Sequence, residues 1–101
     1  LISRKKELIN VGGKKLSPIE VEEVINAIDG VQETACIGIQ NEVLGEEVKA
    51  FVVRSDSSLS EADVINVAKA KLEGYKVPAS VEFVDEIPKT SSGKIQRLLL
   101  K

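Results

Sequence analysis

The sequence predicts an α+β fold, a small two-layer sandwich in which two helices cover one face of a mixed three-stranded sheet, with a β-hairpin at the N-terminus. Paired glycines at 12 and 13 separate two short strand-like runs, two segments that follow N-cap residues show helical apolar spacing, and three apolar runs have strand character. The predicted order is hairpin, helix, strand, strand, helix, strand. A length of 101 residues fits one domain, residues 1–101, with a single modest core.

The hairpin is predicted from the residues around Gly12 and Gly13. The runs 8–11 (LINV) and 14–16 (KKL) flank these glycines, and glycine readily adopts the positive φ angles that tight hairpin turns require. A turn is the simpler explanation of both glycines. The alternative is that a ligand or another backbone segment passes close to them, because glycine leaves space where a side chain would stand.

The first helix is predicted to begin after Ser17 and to end at Asp29-Gly30. Ser17 is a typical N-cap, Pro18 suits the first helical position, and Glu20 would complete a capping box. The acidic pair Glu22-Glu23 is most simply a solvated face. The apolar face of this helix is predicted to consist of Val21, Val24, Ile25 and Ile28.

The rest of the chain predicts two further strands, a second helix and a last strand. Strands at 31–39 and 47–54, joined by a polar loop, are expected to pair antiparallel, with 50–53 (AFVV) covered on both faces. The second helix begins after Ser60, with Asp63 in the capping-box position. The segment 74–78 (GYKVP) ends this helix, and 81–84 (VEFV) alternates as the last strand. The buried face of the second helix is predicted to consist of Val64, Ile65, Ala68 and Leu72.

The composition argues against several classes of function. The net charge is −2 and the basic run at 4–6 is short, which gives nucleic-acid binding little support. No apolar run approaches the roughly 20 residues of a membrane span. The chain has no histidine and no calcium or zinc motif, so no metal site is predicted. Cys36 is expected to be a buried structural thiol in a reducing compartment, the cytoplasm. These features argue against a self-contained enzyme.

A hydroxyl-rich loop near the end of the chain is the strongest candidate site. The segment 88–95 (PKTSSGKI) contains Lys94 directly after Gly93. It lacks the first glycine of a nucleotide-hydrolysing P-loop, and Ile95 stands where that motif needs a hydroxyl, so a P-loop is rejected. Two interpretations remain from the residues alone: a solvated surface lysine, or a lysine that is presented to an anion.

The chain resembles the C-terminal domain of the adenylate-forming enzymes, the superfamily of acyl-CoA synthetases, peptide-synthetase adenylation domains and luciferases. The resemblance covers essentially all 101 residues and depends on four motifs in order. They are 4–9 (RKKELI) with Gly13 and 17–22 (SPIEVE), then 45–52 (GEEVKAFV), 75–78 (YKVP) and 88–95 (PKTSSGKI).

The resemblance implies a catalytic role for Lys94. In this superfamily the matching lysine reaches into the active site of a larger N-terminal domain, where a carboxylate attacks the α-phosphate of ATP and gives an acyl-adenylate and pyrophosphate. A positioned ammonium group would stabilise the negative charge of that transition state. Ser91, Ser92 and Gly93 would shape the loop. The full-length enzyme would use ATP, Mg²⁺ and CoA, and this domain alone would bind none of them.

The resemblance also implies a hinge and a second working surface. Arg4 matches an arginine near the nucleotide ribose, and Lys6 matches the hinge about which the small domain rotates between the two half-reactions. Gly12 and Gly13 would then line the tunnel for the pantetheine of CoA, and Lys15 is a weaker candidate for a phosphate contact.

Three functions are therefore carried forward. The first is the mobile C-terminal lid of an acyl-CoA synthetase, whose partners are the N-terminal adenylation domain, a carboxylic acid and CoA. The second is the matching lid of a peptide-synthetase adenylation domain, which acts on a carrier-protein thiol. The third is a standalone binding module. Because the ATP-binding loop and the carboxylate pocket belong to the N-terminal domain, the chain by itself is expected to be inactive.

Overall fold

The computed structural model describes residues 8–43, 45–93, 95–96 and 99. Within these described residues, two α-helices and five β-strands follow one another. They are β1 (Ile9–Val11), β2 (Lys14–Leu16), α1 (Pro18–Asn26), β3 (Val31–Asn41), β4 (Gly45–Arg54), α2 (Glu61–Lys71) and β5 (Ser80–Phe83), with a 3₁₀ turn at Gly74–Lys76 before β5. The predicted α+β sandwich is confirmed.

The five strands form one mixed sheet around β4. On one side β4 pairs antiparallel with β3 from Gly45 to Arg54. On the other side it pairs antiparallel with β1 at Gly45 and parallel with β5 from Lys49 to Val52. The predicted count of three strands excluded the hairpin, but the hairpin joins the sheet through the pairing of Val11 with Gly45, which gives five.

The main core lies between the helices and one face of the sheet. On α1 Val21 and Ile25 are fully buried, and on α2 Val64 and Ala68 are fully buried, as their helical spacing predicts. The sheet contributes alternate residues of β4, because side chains of a strand point to opposite faces in turn. These core residues of β4 are Val48, Ala50 and Val52.

A smaller apolar cluster covers the opposite face of the sheet. Ala35 of β3 and Val53 of β4 are buried against Ile87, which follows β5 in the chain. Val84 and Ile95 pack against this cluster. The segment after β5 therefore returns across the outer face, and residues 50–53 are covered on both sides, as predicted.

Helix α1 differs from its prediction at both ends. Ser17 is the N-cap, but its hydroxyl accepts from the backbone amide of Ile19 at 3.3 Å, and the Glu20 carboxylate binds the ammonium of Lys76 instead of closing a capping box. The helix ends at Asn26, three residues before the predicted Asp29. In α2 the capping box of Ser60 and Asp63 is confirmed.

The prediction that Glu22-Glu23 forms a solvated face is half wrong. Glu23 is exposed, but Glu22 is only 6% exposed. The Glu22 carboxylate accepts a hydrogen bond of 2.7 Å from the backbone amide of Cys36 on β3, which compensates part of the cost of burying a charge. Cys36 is fully buried, as predicted.

Strands β3 and β4 are longer than predicted, so the connection between them is shorter. A tight turn replaces the polar loop at 40–46, because the side chain of Asn41 accepts from the amide of Val43 at 2.8 Å and Gly45 takes a φ of +89°. None of the helices in the described part of the chain has the length and apolar character that crossing a membrane requires.

Candidate functional site

The residues predicted for function fall into a described group and an undescribed one. Arg4, Lys6 and Lys94 lie outside the residues that the structure describes. The described group lies in two places: the turn between β1 and β2 contains Gly12 and Gly13 with Lys15 beside it, and the loop after β5 contains Ser91, Ser92 and Gly93.

The hairpin turn requires both of its glycines. Gly12 and Gly13 have φ angles of +60° and +88°, the positive values of the two-residue turn that matches the twist of a hairpin. The amide of Gly13 donates to the side-chain oxygen of Asn10 at 3.1 Å. A Cβ atom added at Gly13 would meet no heavy atom within 4 Å. Backbone conformation therefore explains this glycine, and the space beside it is open.

Glu46 anchors the hairpin to the rest of the sheet. Its carboxylate accepts a hydrogen bond of 2.8 Å from the amide of Asn10 in β1. Gly38 of β3 leaves room for this contact, because an added Cβ would stand 3.0 Å from Cγ2 of Ile9 and 3.1 Å from the Glu46 carboxylate. The Gly45-Glu46 motif thus positions the hairpin turn, a role that the sequence did not reveal.

The motif at 75–78 connects the hairpin, α1 and the 3₁₀ turn. The ammonium of Lys14 in β2 lies 5.2 Å from the centroid of the Tyr75 ring, a cation–π contact. The ammonium of Lys76 lies 2.8 Å from the Glu20 carboxylate at the start of α1. The hydrogen bond to Glu20 raises the pKa of Lys76 above its ordinary value. The sequence revealed the motif at 75–78, but it did not predict these contacts.

The loop after β5 is a short closed turn. Lys89 and Ile95 form an antiparallel bridge, and the amide of Gln96 donates to the carbonyl of Pro88 at 2.9 Å. Inside the bridge the amide of Gly93 donates to the carbonyl of Thr90 at 2.9 Å, and Gly93 has a φ of +89°. Glycine permits this angle without strain, which supports its predicted loop-shaping role.

An ion pair and an apolar contact hold this loop against the sheet. The ammonium of Lys89 pairs with the carboxylate of Glu33 on β3. Ile95 packs on the outer cluster that contains Ala35. The loop is therefore attached at β3, at one end of the strand order, whereas the hairpin forms the other end through β2 and β1. The two candidate surfaces therefore lie apart on one sheet, the loop on its outer face at β3 and the hairpin at the other end of the strand order.

The described residues include no group of three or more His, Cys, Asp or Glu side chains arranged to hold a metal ion. The chemistry that these surfaces offer is accordingly that of ammonium groups, hydroxyls and backbone amides. Such groups suit the recognition of anionic and polar ligands.

Comparison with known proteins places this architecture in a family. Residues 20–94 match the model of the AMP-binding enzyme C-terminal domain. A long-chain-fatty-acid–CoA ligase of Escherichia coli O6:H1 is 45% identical over 101 residues, which are 100% of this chain and 18% of the ligase.

Solved structures give the same result. A fatty acyl CoA synthetase of Mycobacterium tuberculosis superposes with a TM-score of 0.91 at 37% identity, over 97% of this chain and 20% of the synthetase. An o-succinylbenzoate CoA synthetase of Bacillus subtilis, solved with its acyl-adenylate intermediate, gives a TM-score of 0.93 at 30% identity, over 98% of this chain and 20% of that one. The chain spans about a fifth of the length of these relatives. The chain belongs to the family of AMP-binding enzyme C-terminal domains.

Proposed function

We propose that this chain is the mobile C-terminal domain of an ATP-dependent acyl-CoA synthetase, residues 1–101, with its hinge at about 4–6. The observation that carries the proposal is that the two candidate surfaces lie apart on one sheet, the loop on its outer face at β3 and the hairpin at the other end of the strand order. A domain built in this way can present one surface or the other to a shared active site by rotating as a body.

In the first half-reaction Lys94 would contribute its ammonium group. A substrate carboxylate attacks the α-phosphate of ATP, the bond to pyrophosphate breaks, and an acyl-adenylate forms. Negative charge on the phosphate and carboxylate oxygens is stabilised by a positioned cation in a site that excludes water. Thr90, Ser92 and Gly93 support this role, because the hydroxyls of Thr90 and Ser92 lie 3.0 Å apart and Gly93 closes the turn.

In the second half-reaction the hairpin would approach the active site. The thiol of CoA displaces AMP from the acyl-adenylate and forms the thioester. Gly12 and Gly13 support this role because the space beside Gly13 is open, and a slender pantetheine chain can pass a backbone that carries no side chains. Lys15 is exposed on β2 beside this turn and could reach a phosphate of CoA.

The groups that the reaction needs beyond this chain are assigned to the N-terminal domain. ATP with Mg²⁺ and the carboxylic acid would bind there, and Arg4 would contact the nucleotide ribose at the domain junction. Mg²⁺ would neutralise phosphate charge during the displacement. CoA is favoured over a carrier-protein thiol as the acceptor because the relatives described above are CoA ligases and synthetases. We place the enzyme in the cytoplasm, where ATP and CoA are available and an unpaired thiol such as Cys36 stays reduced.

The test is Lys94→Ala in the full-length ligase, with the two half-reactions measured separately. Acyl-adenylate formation, followed by pyrophosphate release, is expected to fall at least about 100-fold, the usual loss when one transition-state contact is removed. Thioester formation from supplied acyl-adenylate and CoA is expected to stay near the wild-type rate. Lys71→Ala, at an exposed lysine at the end of α2, is the matched control. Equal loss of both half-reactions would contradict the proposal.

A further inference from the structure

The loop that contains Lys94 is attached to the outer face of the sheet at two points. The carboxylate of Glu33 pairs with the ammonium of Lys89, and these side chains are 24% and 39% exposed. Ile95 packs on the apolar cluster of Ala35, Val53 and Ile87. One attachment is electrostatic and the other is apolar, and they lie on the two sides of the turn.

Both attachments of the loop involve the same face of β3. Glu33 and Ala35 are two residues apart on β3 and therefore face the same side of the sheet. Lys89 and Ile95 are bridge partners across the loop. Glu33 thus pairs with Lys89 on one side of the loop, and Ile95 on the other side packs on the cluster to which Ala35 belongs. Lys89 and Ile95, which precede and follow Lys94 in sequence, are therefore both held against the sheet.

We propose that Glu33 is a positioning residue for the adenylation half-reaction. Its carboxylate holds Lys89, and through Lys89 it fixes the orientation of the loop from which Lys94 acts. The inference depends on the proposed function, which supplies the role of Lys94. A displacement of about 1 Å at a reacting group can reduce a rate on the order of 100-fold, so a pair distant from the chemistry can affect the rate. The hairpin has its own anchor at Glu46, so we expect the second half-reaction to be independent of Glu33.

The experiment measures both half-reactions of the full-length ligase for Glu33→Gln, Lys89→Gln and Lys89→Arg. Each glutamine variant is expected to slow adenylation about fivefold, which is the upper limit for a partly exposed ion pair. Thioester formation from supplied acyl-adenylate is expected to stay within about twofold of the wild-type rate. Lys89→Arg keeps the charge and is expected to retain adenylation. The double variant Glu33→Gln/Lys89→Gln is expected to lose no more than either single one, because both remove the same interaction.

The matched control is Glu82→Gln. It removes the carboxylate of a second pair between a lysine and a strand glutamate, formed by Lys49 on β4 and Glu82 on β5 at 2.9 Å. Adenylation that falls equally in Glu33→Gln and Glu82→Gln would overturn the proposal. So would equal slowing of both half-reactions in Glu33→Gln, which indicates a merely structural role. Lys94→Ala separates the two hypotheses: normal adenylation in that variant refutes the proposed function, whereas lost adenylation with a normal Glu33→Gln refutes only this inference.

Discussion

The carboxylate of Glu22 joins α1 to β3 by accepting from the amide of Cys36, a residue 14 positions away. The amide belongs to a strand that pairs with β4 on its other side, so the carboxylate binds one backbone donor at the outer edge of β3. At the scale of single residues this is the clearest difference between the structure predicted from the sequence and the structure observed. Helical spacing alone groups Glu22 with its exposed neighbour Glu23.

Substitution of Glu22 tests this role. Glu22→Ala is expected to lower the free energy of unfolding by about 2 kcal/mol, because the Cys36 amide loses its carboxylate acceptor within the fold. Glu22→Gln keeps an oxygen that can accept and should cost less. Urea denaturation of the purified domain provides the measurement. The control Glu23→Ala, at an exposed position, should change stability by less than about 0.5 kcal/mol. Equal effects at 22 and 23 would show that the Glu22 contact contributes nothing.

Local sequence patterns were sufficient to predict the environment of some residues and not of others. The box between Ser60 and Asp63 was predictable because its partners are three residues apart and depend on one turn of helix. Cys36 was predictable from its apolar surroundings. The contact between Glu22 and Cys36 was not, because it requires the packing of α1 on β3.

At the scale of the elements, glycines in a hairpin turn, a strand and a 3₁₀ turn are needed for different physical reasons. Gly13 has a positive φ and open space around it, Gly38 has ordinary backbone angles and crowded surroundings, and Gly74 has neither constraint. The hairpin therefore depends on Gly13 for its turn and on Gly38 for its attachment to the sheet.

Three alanine substitutions separate these causes. Gly13→Ala is expected to destabilise the domain by about 1 kcal/mol through backbone strain at φ +88°. Gly38→Ala is expected to cost about 1–3 kcal/mol, because its Cβ would stand 3.0 Å from Ile9 and force the hairpin to shift. Gly74→Ala serves as the control and should be near neutral. Thermal denaturation of the three variants checks the predicted order of destabilisation. A neutral Gly38→Ala would mean that the hairpin adjusts without cost.

The hairpin shows the limit of prediction at this scale. Its turn followed from two adjacent glycines, since the φ angles of a two-residue turn are a local property. Its pairing with β4 did not follow, because the residues that join, Val11 and Gly45, are far apart in the chain. The Glu46 contact and the close approach at Gly38 exist only once the hairpin is paired with β4.

At the scale of the whole molecule, the pair between Glu20 and Lys76 links the first helix to the last third of the chain across 56 residues. The pKa of Lys76 is raised, first through its hydrogen bond to Glu20 and also through the nearby charges of Glu20, Tyr75 and Glu73, although desolvation opposes the shift. A raised pKa in the folded state means that the contact stabilises the fold below the ordinary lysine value and is lost as pH rises through the folded value.

The alkaline stability of Glu20→Gln checks this linkage. The variant is expected to unfold at a lower urea concentration than the wild type at about pH 8, where Lys76 is fully charged. The difference between them should narrow toward about pH 12, as Lys76 loses its proton in the wild type. Glu23→Gln, an exposed acid on the same helix, should show a small difference that does not change with pH. A constant gap for Glu20→Gln would indicate that the pair does not contribute through charge.

The overall architecture was predictable because its layers follow from residue patterns. Helical and alternating spacing indicated which faces are buried, and the family resemblance supplied the arrangement. The parallel alignment of β5 with β4 and the end-to-end placement of β1 and β5 along one edge of β4 were not predictable. They depend on contacts between distant parts of the chain, which no local pattern encodes.

The position of β3 at the end of the strand order has a consequence for self-association. Among the described residues β3 pairs only with β4, so an edge of 11 residues could accept a strand from another molecule. Glu22 occupies the amide of Cys36 on that edge, and an incoming strand would have to displace a buried carboxylate from it. The same acid that joins a helix to the sheet therefore also occupies a backbone donor at its edge, and its loss would leave that amide open to a strand of another molecule.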